Sequence, residues 1–114
     1  MMGAQPSSLL LALASMSCHA DAPQLAADEL TRHLETLSGW QHKGDRIEKT
    51  FAFANYYETM AFVNALAWIS HREDHHPDLG VYYNRCVVTY STHSALGVTL
   101  NDVICAAKAE RLYA

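Results

Sequence analysis

The spacing of apolar residues divides this chain into helices and hairpins before any single residue is considered. From Pro23 to Leu37, apolar side chains fall at Leu25, Ala26, Leu30, Leu34 and Leu37, near the 3.6-residue repeat of a helix with one buried face, and Gly39 follows as a stop signal. That spacing predicts a first helix. Trp40 to His42 and Arg46 to Phe53 then read as a hairpin turning at Lys43-Gly44-Asp45, with Ile47, Phe51 and Phe53 on a common face. Lys49 falls on that same face and interrupts it. Asn55, with Glu58 three residues on, has the form of a helix N-cap and its capping-box partner. It opens an apolar segment from Tyr56 to Ile69, in which Met60, Val63 and Ala67 adjoin a second stripe of Phe62, Leu66 and Ile69. Two stripes side by side predict the central helix of the fold.

Further on, Leu79 to Tyr83 and Arg85 to Thr92 read as a second hairpin turning near Asn84, its later strand rich in β-branched and aromatic residues. Ser94 to Val98 is a short loop. Thr99-Leu100-Asn101-Asp102 has the form of another capping box, opening a last helix that runs through Leu112. The order is αββαββα. Two hairpins separated by a helix predict an α+β fold, a two-layer sandwich with a four-stranded antiparallel sheet and three helices on one face. Residues 1–22 are left as a partly irregular N-terminal extension, and 23–114 as a single domain.

Composition narrows the functional classes. With 114 residues and 50% hydrophobic content the chain can bury one core. Lysine and arginine number 8 against 12 acidic residues, a formal charge of -4 with no basic run, which argues against direct contact with nucleic acid. Leu9 to Met16 is apolar, but no lysine or arginine precedes Arg32, and a stretch that short cannot cross a bilayer, so neither secretion nor membrane insertion is expected. Cys18, Cys86 and Cys105 are odd in number and lack a CxxC pattern, as suits a reducing cytoplasm.

The candidate chemistry lies in Ser70-His71-Arg72-Glu73-Asp74-His75-His76-Pro77-Asp78. Pro77 disfavours helix at the residue before it, so the helix from Tyr56 is expected to end near His75 or His76, with both imidazoles at a helix-to-strand junction. An imidazole, with an unperturbed pKa of about 6.5, exchanges protons near neutrality. His93 waits at the end of the fourth strand. His19, His33 and His42 are assigned to the surface, and Trp40, Trp68, Phe51 and Phe53 to the core. A competing reading is a metal site: His71 and His75, four residues apart, would share a helix face near Asp74, His76 and Asp78, with His93 completing the set, although HExxH is absent.

His75-His76-Pro77, then Tyr83-Asn84-Arg85, then Thr92-His93, and Asp102 nine residues later occur in an order and spacing that resemble the pterin-4a-carbinolamine dehydratases, also called 4a-hydroxytetrahydrobiopterin dehydratases. Ala61-Phe62-Val63-Asn64 and Ile104-Cys105-Ala106-Ala107-Lys108 look like bacterial members, and the likeness runs from about Leu25 to Leu112. The resemblance implies loss of water from a 4a-hydroxytetrahydropterin to give a quinonoid dihydropterin, without a metal or organic cofactor. His75 and His93 would be the acid/base pair, His76 with the adjoining Pro77 would bind the pterin, and Asp102 would be the active-site aspartate. An aromatic amino acid hydroxylase would be the pathway partner, and a homodimer or homotetramer the assembly. Relatives also act as dimerisation partners of a transcription factor, so a non-catalytic binding module is the alternative. One position departs from the pattern: four residues before His75, where the family commonly has an acid, stands His71. Tuning of His75 is then expected from His71 or Asp74.

Overall fold

The computed structural model describes residues 7–113; the first six residues of the expected extension, and Ala114, lie outside them. Among the described residues, four α-helices, α1 (Ser8–Ala14), α2 (Ala27–Thr36), α3 (Tyr56–Glu73) and α4 (Leu100–Tyr113), accompany four strands, β1 (Gln41–Lys43), β2 (Arg46–Ala52), β3 (Asp78–Val81) and β4 (Arg85–Tyr90). The strands form one antiparallel sheet in the order β1-β2-β4-β3. The α+β class and the two hairpins therefore stand as the sequence predicts, with α1 added.

Register explains which face is buried. Ile47 lies opposite Tyr90 and Phe51 opposite Cys86, so these residues and Val88 point into the helical layer and are fully or almost fully buried. Lys49 does sit on that inner face, but its ammonium lies 4.9 Å from the centre of the Phe51 ring and reaches Glu110 Oε2 at 2.6 Å and the Ser38 carbonyl at 2.9 Å. A long side chain can bury its methylenes while its charge finds a partner at the edge. Glu48, Thr50, Val87 and Thr89 face the other way and escape burial.

The structure departs from the sequence pattern at several points. The central helix is α4, whose residues Asn101 to Ala107 are all buried. α3 buries only Thr59, Phe62 and Leu66, because nothing covers its outer side among the described residues. Trp68, expected in the core, lies on that outer side and is 61% exposed. α2 begins at Ala27 rather than Pro23, since Leu25 N–H is already committed to the Val98 carbonyl and Gln24 bridges Thr99. The α3 cap is as predicted: Asn55 Oδ1 accepts Glu58 N–H at 2.9 Å, and the Glu58 carboxylate reaches back to Ala54 N–H. Within the extension expected to be partly irregular, residues 8–14 form α1, which packs Leu10, Leu13 and Ala14 against the core, and Lys108 Nζ donates to the α1 carbonyl of Ala14 at 2.7 Å.

Candidate active site

α3 ends at Glu73, two residues before the expected stop, in a turn that places His75. Asp74 takes the left-handed conformation (φ 51°), His75 N–H donates to the Ser70 carbonyl and Asp74 N–H to that of His71. This is the Schellman arrangement with aspartate where glycine is commonest. The chain then passes His76 and Pro77 and enters β3 at Asp78.

At the far end of β4, Thr92 and Gly97 bond to each other through their backbones and close a loop whose 3-10 turn, His93–Ala95, begins with His93. A Cβ on Gly97 would stand 2.8 Å from the Gln24 side chain, which would have to shift to admit it. The two junctions meet. Asp74, His75, His76, Thr92 and His93 line a single cleft of about 210 Å³.

Beneath the cleft lies Asp102, fully buried at the start of α4. Its Oδ1 accepts His75 Nε2–H at 2.6 Å, and its Oδ2 accepts Thr92 Oγ1–H at 2.8 Å and Thr99 N–H at 2.9 Å. The last bond is the predicted capping box. Thr92 has one hydroxyl proton and gives it to Asp102, so the 2.8 Å contact between the two threonine hydroxyls has Thr99 as donor. A carboxylate only accepts, so Nε2 of His75 carries the hydrogen and Nδ1 is left to exchange protons with a ligand. The His75 ring also stacks on Tyr90, planes 9° apart and centroids 5.9 Å. Burial, with Cys105, Cys18 and Asp102 nearby, pushes the Tyr90 phenol far above its ordinary range, so it stays neutral.

Not every residue singled out by sequence reaches this cleft. His71 packs against Trp68 (centroids 5.6 Å), and neither it nor Pro77 lines the cleft. The carboxylate against His75 comes instead from Asp102, 27 residues away in sequence. Among the described residues, no group of three or more histidine, cysteine or carboxylate side chains stands close enough to share a metal ion. The metal set of the competing reading does not assemble, because His71 and His75 do not share a helix face once α3 stops at Glu73.

A sequence model of the family described as pterin 4 alpha carbinolamine dehydratase matches residues 23–112. The chain belongs to that family. A Chromobacterium violaceum protein that carries the provisional name pterin-4-alpha-carbinolamine dehydratase is 56% identical over 104 residues, 91% of this chain and 95% of the relative. A Nitrosospira multiformis protein with the same provisional name is 54% identical over 96 residues, 84% of this chain and 85% of its own. The crystal structure of a Brucella melitensis "transcriptional coactivator/pterin dehydratase" superposes with a TM-score of 0.78 at 32% identity, covering 80% of this chain and 99% of that one. A pterin dehydratase-like protein described as a RuBisCO assembly factor in the alpha-carboxysome is more distant, with a TM-score of 0.55 at 29% identity over 65% of this chain and 86% of that one.

Sequence reasoning about this dehydratase-family chain missed three contributors to the site. Thr92 stands in the sequence as part of a motif, with nothing there to mark it as the donor that braces Asp102. Tyr90 read as one more strand aromatic. His19, assigned to the surface, is indeed exposed, yet it lines a second pocket that also contains His75 and Thr92. No local signal in the N-terminal stretch points to this.

Proposed function

We propose that this chain removes water from a 4a-hydroxytetrahydropterin to give the quinonoid dihydropterin, using histidine side chains as acid and base. The observation that carries the reading is His75 bonded to buried Asp102 in a cleft shared with His76 and His93, in a member of this family. The N5 lone pair of the substrate drives out the 4a-hydroxyl as a C4a=N5 double bond forms. An imidazolium protonates the departing hydroxyl, and a neutral imidazole takes the ring N–H proton, so one water leaves and the protein's proton count is restored. His75 and His93 fill these roles, and His76 with Pro77 beside it binds the pterin. Such proton transfers contribute about 10² to 10⁴ in rate, or about 3 to 5 kcal/mol of barrier. Asp102 keeps the His75 ring oriented and offsets its charge when protonated. His71 stands apart from the cleft, so Asp74, which lines it, is the nearer candidate for tuning His75.

The test is the decay of freshly generated 4a-hydroxytetrahydropterin, followed by ultraviolet absorbance with a chelator present. The intact protein is expected to accelerate it. A rate equal to buffer would overturn the dehydratase reading and move the search to binding partners.

The substrate of such a reaction is made by an aromatic amino acid hydroxylase, the pathway partner we propose, and three free cysteines accord with a cytoplasmic location. We also propose a homo-oligomer, dimer or tetramer. β3 is an edge strand with Leu79 and Val81 exposed, and unpaired strand edges invite pairing with a second copy. Sedimentation at micromolar concentration is expected to give at least twice the monomer mass; a monomer would sink that proposal.

A further inference from the structure

The segment that follows α1 falls outside the residues matched by the family model, 23–112, and it runs directly beside the catalytic cleft. Three fastenings hold this strap. Asn101, only 8% exposed, clamps His19 at two points: His19 N–H donates to its Oδ1 at 3.0 Å, and its Nδ2–H donates to the His19 carbonyl at 2.7 Å. Cys18 N–H donates to Glu73 Oε1 at 2.8 Å, and Cys18 Sγ lies 3.5 Å from Cys105 Sγ. The hydrogen bond between the two thiols, with burial, pushes the Cys105 thiol up. Asn101 precedes Asp102, so adjacent residues of α4 position the strap and His75.

Between the strap and the ends of α3 and β4 is a pocket of about 250 Å³, lined in part by His19, Asp21, Asp74, His75 and Thr92. It shares Asp74, His75, Thr92 and Ser94 with the histidine cleft, so the two pockets adjoin across His75. Together they reach the range of small-ligand sites, about 300 to 1,000 Å³. The strap pocket is polar and acidic. Asp21 and Asp74 offer carboxylate acceptors, while Glu73 is already taken up by Cys18 N–H. Such a lining suits neutral hydroxyl groups, repels a phosphate, and gains little from a methyl group.

We propose that the strap pocket is a subsite for the side chain of the pterin, and that it selects a hydroxylated chain over an alkyl one while the ring occupies the histidine cleft. The proposal deepens the dehydratase reading and rests on it. Asp21 and His19 are the residues that contact the hydroxyls. They contribute to recognition and take no part in the proton transfers.

Calorimetric titration of the full chain with two stable ligands tests this: 7,8-dihydrobiopterin, with its dihydroxypropyl chain, and 6-methyl-7,8-dihydropterin. Asp21 has a left-handed backbone (φ 62°), a conformation that asparagine also tolerates, so Asp21→Asn removes the charge without forcing the strap to move. The intact chain is expected to bind dihydrobiopterin about tenfold more tightly than the methyl compound, the worth of one hydrogen bond to a charged group. Asp21→Asn and His19→Ala are each expected to erase most of that preference by weakening dihydrobiopterin binding toward the methylpterin value. Equal affinity for both ligands in the intact chain, or variants that weaken both alike, would overturn the subsite while the dehydratase reading stands. Failure to bind either pterin, together with no dehydration, would overturn both.

Discussion

The His75→Ala variant is expected to lose about 10² to 10⁴ in dehydration rate, the range assigned to a positioned proton-transfer group, while melting within a few degrees of the intact chain. Its side chain is 13% exposed and supplies one of three donors to Asp102, so Thr92 and the Thr99 amide still hold the carboxylate. Asp102→Asn is expected to behave differently. An amide in place of the carboxylate sets a donor against His75 Nε2–H or against the Thr92 and Thr99 donors, leaving a buried hydrogen unpaired. That costs about 1 to 3 kcal/mol of stability, besides the roughly 10- to 100-fold loss typical of removing a group that orients another. Single-turnover decay and thermal melting of both variants separate the roles. A His75→Ala protein within threefold of the intact rate would remove His75 from the chemistry.

Phe51→Ala is expected to have the largest effect on stability, about 3 to 5 kcal/mol. Phe51 is 1% exposed and joins both layers: its ring lies 4.8 Å from Phe62 of α3, 5.0 Å from Tyr113 of α4 and 6.0 Å from Trp40. Removing it leaves a cavity walled by aromatic rings, which are too rigid to collapse into the space. For a domain of this size the loss corresponds to on the order of 10 to 30 °C in Tm, and with native stabilities of about 5 to 15 kcal/mol it consumes much of the total. Denaturant unfolding monitored by circular dichroism checks it; a loss under 1 kcal/mol would mean that the rings repack and that the two layers do not depend on this residue.

Much of the fold was legible because its decisive signals are local. The Asn55 cap, the Thr99 and Asp102 pair and the Lys43-Gly44-Asp45 turn each lie within a few residues of chain, and each does in the structure what its spacing predicts. The candidate site was legible as an inventory of histidines, because they follow one another at motif spacing. What joins them was not. The bond between His75 and Asp102 depends on where α4 crosses the end of α3, and no periodicity reports that. Trp68 departs from its pattern for a related reason: an apolar helix face is buried only if another element covers it, and α4 holds the central place that the pattern of α3 suggests. The start of α2 was misplaced because the Leu25 amide is claimed by Val98, a contact 73 residues away.

The fastening of the strap also bears on how the protein is made. His19 waits for Asn101, 82 residues later in the chain. At about 5 to 20 residues per second of synthesis that delay is on the order of 4 to 16 seconds. Throughout it the apolar side of α1, including Leu13, which ends 8% exposed, has no α4 to lie against. The newborn chain therefore carries the apolar side of α1 uncovered until α4 emerges, and the strap is fastened only as the last part of the fold forms.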